Sequence, residues 1–223
     1  MTGYVIEFGK DGQPVEPDGR LDAAAFHRNH AAIWAVLASF LRDRRGNVLE
    51  AGSGTGQHIV HFARHSPQID WWPSDIRDAH LRSIAAWRAH AGLANLHPPL
   101  RLDLADPDWP AKMPGPAQRL LAIVCANVIH IAPWQVAEGL IAGAARSLQP
   151  GGRLFLYGPF KRGGHHTAVS NAAFDTSLRD HDPAFGVRDL EAVAAVADTH
   201  GLALHEVVEM PANNLTAVFA RHG

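Results

Sequence analysis

"VLEAGSGTGQH", residues 48–58, places Gly52, Gly54 and Gly56 directly after a short apolar run. A strand, a glycine-rich turn and a helix start in succession expose backbone N–H groups to a bound anion or dipole. The dinucleotide fingerprint asks for G-x-G-x-x-G. Gly52 and Gly54 fit it, but the third position is Gln57 and the extra glycine comes one residue early. The pattern is E-x-G-x-G-x-G, beginning at Glu50. No Lys-Ser/Thr pair follows, which excludes a P-loop. A strand-to-helix turn without a ligand would avoid the entropy lost in ordering three glycines, so the turn reads as a nucleotide cradle.

Working outward, apolar runs and helical stripes alternate. Before the loop, Phe26, Ile33, Val36, Leu37, Phe40 and Leu41 form a helical stripe from residue 21 to 41. After it, "IDWWPSD" reads as a strand ending at Asp75, and "DAHLRSIAAWRAHAG" as a helix stopped by Gly92. "HPPLRLDL" (97–104) reads as a further strand. "LLAIVCAN" (120–127) is apolar throughout, the mark of a central strand buried on both faces. A helix then runs to the Pro-Gly-Gly turn at 150–152, and "RLFLYGPF" is the next strand. A polar segment over 161–187 precedes the helix "DLEAVAAVADTHG" and the strands "LALHEVVEM" and "LTAVFARH".

Strands alternating with helices imply a largely parallel sheet covered on both faces. The last two strands are separated only by "PANN", too short for a crossover, so they must pair antiparallel. The expected fold is therefore α/β: a doubly wound, mostly parallel seven-stranded, Rossmann-like sheet ending in an antiparallel hairpin. That end differs from the all-parallel dinucleotide-binding fold. One domain spans 21–223, preceded by an irregular Gly-, Pro- and Asp-rich segment over 1–20, with 161–187 on the substrate side.

Composition narrows the partners. In 223 residues, 20 Lys and Arg against 22 Asp and Glu give a net charge of −2. This balance supplies no reason to expect nucleic acid or an anionic membrane. A small polar molecule suits it, and a homodimer is compatible with it. Cys125, the only cysteine, lies in the apolar run of 120–127. With no disulfide, no secretion signal and no apolar run of the ~20 residues that cross a bilayer, the expected location is the cytoplasm.

The E-x-G-x-G-x-G turn resembles that of class I S-adenosylmethionine-dependent methyltransferases. Asp75, closing the second strand, is placed to accept both ribose hydroxyls, and Asp103, closing the third, to meet the adenine amino group. Each could instead cap a helix. A closer resemblance rests on "VLEAGSGTGQH", "WWPSD", "CANVIHIAPW", "YGPFKRGG", "SNAAFDTSLRDHDPAFGVRD" and "MPANN". These blocks resemble the family known as DUF938, whose animal members are called methyltransferase-like protein 26, over residues 21–221. Arg28-Asn29 is similar to an Arg-Asn pair of that family. The resemblance implies S-adenosylmethionine as cofactor and S-adenosylhomocysteine as product. It implies contacts from Arg28, Asn29 and Glu50, from Gly52, Ser53, Gly54, Gly56 and His58 in the loop, and from Asp75, Asp103, Leu104 and Asn127 at the strand ends.

In such a fold the methyl acceptor lies beyond the fourth strand, here "CANVIHIAPW". Asn127 stands where amino-methylating relatives carry Asn/Asp-Pro-Pro-aromatic, but the chain continues Val-Ile-His, which argues against that chemistry. His130, at the sheet mouth, is the candidate general base, with an imidazole expected to titrate near its ordinary value; the alternative is a packed histidine near Trp134. Tyr157 is placed to hydrogen-bond a substrate. Trp134, Asn171, Asp175 and Arg179 are the candidate substrate wall, since a polar segment of this length in a compact domain is usually functional. Asn213 and Asn214 hold the final turn. His58, His61 and His65 share a helix face, but without H-E-x-x-H or paired cysteines they read as a solvated face and not a metal site. These residues point to a small-molecule methyltransferase. The alternatives are a non-catalytic S-adenosylmethionine-binding scaffold or sensor, and a nicotinamide oxidoreductase, which the glycine spacing disfavours.

Overall fold

A computed structural model describes residues 17–221. The expectation for 1–20 therefore lies mostly outside the described residues; Pro17 and Asp18 form a turn. Five strands follow in order: β1 (Gly46–Ala51), β2 (Ile69–Asp75), β3 (Leu100–Arg101), β4 (Leu120–Ala126) and β5 (Leu148–Gly158). Next come the short β6 (Phe160–Arg162), β7 (His165–His166) and β8 (Arg188–Asp189), then β9 (Leu202–Met210) and β10 (Asn214–Arg221). The helices are α1 (Ala24–Leu41), α2 (Gln57–His65), α3 (Asp78–Ala91), α4 (Trp134–Ser147), α5 (Val169–His181) and α6 (Leu190–Thr199).

The main sheet has seven strands in the order β3-β2-β1-β4-β5-β10-β9. β1 pairs parallel with β2 and β4, and β4 with β5; β10 runs antiparallel to both β5 and β9. This is the class I methyltransferase arrangement. Alternate residues of the central strands feed two cores. Leu49, Ile123, Leu156 and Phe219 face α4 and α6, whereas Val48, Val124, Phe155 and Val218 face α1 and α2. That double burial explains the unbroken apolar run of β4.

Two elements depart from the sequence reading. The strand over 97–104 shrinks to Leu100–Arg101, because Pro98 and Pro99 lack the N–H a ladder needs. Asp103 then turns the chain by accepting Ala105 N–H at 2.9 Å. The polar segment 161–187, for which the sequence reading gives no elements, carries β7 and the helix α5, and its two ends join β6 and β8 in a small three-stranded sheet, β7-β6-β8. Phe174 and Leu178 of α5 pack with Ile131, Phe185 and Val187 in a third, small core.

The final turn holds Ala212 and Asn213 at φ 58°. Asn213 tolerates this geometry, as expected of asparagine. Asn214 is extended, and its side chain instead donates to Pro211 O and Tyr157 Oη.

Candidate functional site

The C-terminal ends of β1, β2, β4 and β5 and the start of β10 share one edge of the sheet. The glycine turn leaves β1 there. Ser53 N–H donates to Ser74 O at 2.7 Å, and Gly56 N–H to Ser53 O at 3.0 Å, folding the loop over the end of β2. Gly52 has φ +76°, and a Cβ there would lie 2.5 Å from Val128 Cγ2, so only glycine lets the loop after β4 approach. Gly56 backs onto Ile84 of α3, where a Cβ would come within 2.9 Å of its Cα. It thereby takes the helix-packing role that the dinucleotide fingerprint gives to its third glycine. Beside Gly54 the space is open.

Glu50 lies beneath this turn, 2% exposed. Burial, with the Asp75 charge adding to it, pushes its carboxyl up to about 8 despite a hydrogen bond from Ser53. Its Oε2 makes no hydrogen bond among the described residues. A buried, unsatisfied carboxyl oxygen is an acceptor awaiting a donor, and an ammonium group suits it. Asp75 closes the cradle. Its Oδ2 accepts Gly54 N–H at 3.0 Å and lies 3.0 Å from His80 Nδ1, while Oδ1 accepts Arg77 N–H at 2.9 Å. The next residue, Ile76, is 52% exposed, an apolar surface beside a carboxylate at the strand end.

On the other side, His58 Nε2 lies 2.7 Å from Asn29 Oδ1, which requires the Nε2–H tautomer. Burial pushes His58 down to about 3, helped by the nearby His30 and His61. Asn214 donates to Tyr157 Oη at 3.0 Å. Burial raises the Tyr157 pKa, while the Asn29 and Asn214 amides and the Arg28 charge oppose it. Asn29 is buried and Arg28 exposed, so α1 carries this pair to the same rim. Asn127 sits at φ 58°, donating its N–H to Tyr157 O.

Other expected residues lie differently. His130 is 2% exposed, edge-on to Phe174, and its Nδ1 makes no hydrogen bond among the described residues. Burial, and then the Arg188 charge, push it down to about 3, so it does not titrate near the ordinary imidazole value. Asp103 is exposed, with one oxygen engaged in its local turn, and Leu104 packs its side chain into the core. Asp175 holds the 161–187 segment together. It receives Val187 N–H at 2.7 Å, Lys161 Nζ at 2.9 Å, and Arg179 Nε and His166 Nε2 at 3.2 Å. Asn171 donates to Thr167 Oγ1 and Asn213 O, tying α5 to the final turn. Trp134 begins α4 under the Arg188 guanidinium, 5.7 Å from its ring centre. Arg188 also donates to Ile129 O, Ala132 O and Ala184 O, pinning the loop that carries His130. The structure brings the loop, Asp75, Asn29, His58, Asn127 and Tyr157 to one rim; it places Asp103, Asp175 and Arg179 in contacts of their own.

Residues 20–221 match the family described as "Protein of unknown function (DUF938)". The chain belongs to the DUF938 family. Among solved structures, this DUF938 chain is similar to an O-methyltransferase family protein from Burkholderia thailandensis, with TM-score 0.72 and 16% identity, covering 86% of this chain and 56% of that one. It is similar to the mitomycin 7-O-methyltransferase MmcR, with TM-score 0.68 and 16% identity over 87% and 54% of the two chains. It is also similar to CalO1, a methyltransferase in calicheamicin biosynthesis solved with S-adenosylhomocysteine, with TM-score 0.63 and 16% identity over 86% and 54%. The chain thus spans about half the length of these proteins, and at this identity the likeness is one of fold.

Two residues beside the glycine turn and Asp75 are not among the candidate site residues read from the sequence. Ile76 is signalled only by an apolar side chain directly after the strand-end Asp75. Gln57 is signalled by its place where the dinucleotide fingerprint has glycine. The histidine face of α2 is solvated only at its end: His65 is exposed, whereas His61 is half-buried against Phe26, His30 and Trp34 of α1, and its pKa falls to about 4, chiefly through burial. Among the described residues no cluster of His, Cys, Asp or Glu could hold a metal. No helix among them is long and apolar enough to cross a membrane.

Proposed function

We propose that this chain is an S-adenosylmethionine-dependent methyltransferase acting on a small-molecule acceptor. The observation that carries the reading is Glu50, a buried carboxyl with an unsatisfied oxygen directly under a glycine turn. A nicotinamide dinucleotide has no ammonium to offer such a group, whereas the methionyl tail of S-adenosylmethionine does. Asp75 retains lone pairs for the ribose hydroxyls, Ile76 offers an apolar face to adenine, and Arg28 can meet the methionyl carboxylate. When bound, that cofactor supplies a methyl group on a sulfonium, ready for in-line displacement.

Asn127 and Tyr157 orient an acceptor at the rim, and Tyr157 Oη, accepting from Asn214, keeps its own O–H to donate. His130 stays neutral, held by the packing of Phe174 and the Arg188-pinned loop. Proton removal then falls to a weak base, and the acceptor best suited to the site is one already ionised near neutrality, such as a thiol or acidic phenol. The same observation favours a second reading, a protein that binds the cofactor without catalysis. Supplying cell extract with methyl-labelled cofactor and identifying the labelled product separates the two. Calorimetry in which a nicotinamide dinucleotide binds more tightly than S-adenosylhomocysteine would overturn both.

A further inference from the structure

Gln57 occupies the position where the dinucleotide fingerprint has its last glycine, and its side chain is 4% exposed. Its Oε1 accepts Ala23 N–H at 2.7 Å and Thr55 Oγ1–H at 2.9 Å, and its Nε2 donates to Asp22 Oδ1. One amide therefore ties the glycine turn to the strap that enters α1. Further buried bonds run in parallel. Leu21 N–H donates to Ser83 Oγ at 2.9 Å, and Ser83 Oγ–H to Thr55 O at 2.7 Å. Trp87 Nε1–H donates to Leu21 O at 2.9 Å, and the Arg20 guanidinium lies over the Trp87 ring.

No turn needs this arrangement for its own closure, since the loop is already bonded to Ser74 and Asp75. What it fixes is the start of α1, from which Arg28 and Asn29 project five and six residues beyond Ala23. A helix start held at two backbone groups, Leu21 and Ala23, cannot rotate about its axis without breaking a buried hydrogen bond, a change of the kind that leaves donors unsatisfied.

We propose that Gln57 is a positioning residue that acts through the Asp22–Ala23 strap, setting α1 so that Arg28 and Asn29 meet the cofactor bound at the glycine turn. The inference rests on the cofactor reading above. It predicts coupling between Gln57 and Arg28, which do not touch the same group. In the wild type, Arg28→Ala weakens S-adenosylhomocysteine binding about tenfold, the loss of a charge-assisted contact. In a Gln57→Ala background, itself at least tenfold weaker, Arg28→Ala has an effect of less than twofold, because the arginine is no longer placed.

Calorimetry on the four proteins of this cycle tests it, with hydrogen exchange of residues 20–30 measured without ligand. Faster exchange there in Gln57→Ala, together with a non-additive cycle, is the expected result. Equal Arg28→Ala penalties in both backgrounds, or unchanged exchange, overturn the positioning role and leave the cofactor reading standing. A wild type that binds no S-adenosylhomocysteine overturns the cofactor reading, whatever the exchange shows, and this role with it. If Gln57→Ala does not fold, Asp22→Ala opens the same lock from the strap side and is read identically.

Discussion

Asp75 Oδ2 accepts the backbone N–H of Gly54 at 3.0 Å, so one carboxylate both shapes the glycine turn and faces the site that turn encloses. Loop geometry and ligand affinity are thereby joined in a single side chain. Asp75→Ala is expected to weaken S-adenosylhomocysteine binding by ~2–4 kcal/mol, the loss of two charge-assisted hydrogen bonds. Calorimetry giving unchanged affinity would assign the ribose to another residue.

Gly52 and Gly54 should fail differently when changed to alanine. Gly52→Ala drives a methyl into Val128 at a positive φ and is expected to destabilise the fold by ~2 kcal/mol or more. Gly54→Ala, at φ +56° with open space around its Cβ, should lose only ~1 kcal/mol of stability yet lose cofactor affinity, since the new methyl occupies the cradle. Chemical denaturation beside calorimetry distinguishes the two; equal stability losses would contradict the assignment.

Under the proposed reading, Glu50 should make cofactor binding a proton-linked event. Free, its carboxyl is pushed up to about 8 and is protonated at neutral pH; an ammonium beside it favours the charged form. S-adenosylhomocysteine should therefore release close to one proton at pH 7 and bind more tightly as pH rises toward 8. Calorimetry in buffers of different ionisation enthalpy reads the release directly, and Glu50→Gln should abolish it. An enthalpy independent of buffer would place the ammonium elsewhere.

His130 should not bend the pH–rate profile near the ordinary imidazole value, because burial holds it at about 3. His130→Ala is expected to lower turnover by ~10²-fold, through lost orientation and whatever weak base catalysis the ring supplies, while cofactor affinity changes little. A wild-type rate that rises through pH 6.5 and flattens in His130→Ala would restore it as a conventional base.

Stability should peak near pH 6.5. His58 and His130 are neutral in the fold with values of about 3 against an ordinary 6.5. Their contribution is complete above 6.5 and is lost as pH falls toward 3, at up to ~1.4 kcal/mol per pH unit for each. Glu50 acts oppositely: its contribution is complete below 4.5 and is lost as pH rises through about 8. Between 4.5 and 6.5 these two histidines, joined by the partly exposed His61 with its value of about 4, outweigh one carboxyl, and above 6.5 only Glu50 remains. Urea unfolding from pH 4.5 to 8 checks the sign on each side, and His58→Gln should flatten the acid limb.

The architecture was legible where periodicity and length acted alone. β2 ends at Asp75 as its sequence indicates, α3 stops at Gly92 in the left-handed conformation, and the short link over 211–213 forces β9 and β10 antiparallel. What stayed hidden depends on contacts remote in sequence. α5 reads as polar because its few apolar residues meet a core shared with Ile131, Phe185 and Val187. Asp175 reads as a ligand-binding carboxylate because nothing near it in the chain announces Lys161 or Val187 as partners. His61 reads as solvated because only the tertiary fold lays α1 across it. The residues of the proposed cofactor rim lie mostly at strand ends, where periodicity makes them legible; those of the proposed acceptor side lie on loops, where it does not.

β10 lies between β5 and β9, although it follows both in the chain. During synthesis, β5 cannot gain its outer neighbour until residues 214–221 have been made, however early β1, β2 and β4 have paired. Until then the edge of β5 presents unpaired backbone beside Phe155 and Tyr157, and the Asn214 partner of the Tyr157 hydroxyl is missing. A ribosome-bound intermediate could hold the glycine turn complete and the acceptor rim unbuilt. The nascent chain would then gain its cofactor cradle before its acceptor side, and its most aggregation-prone moment would come just before the last strand enters.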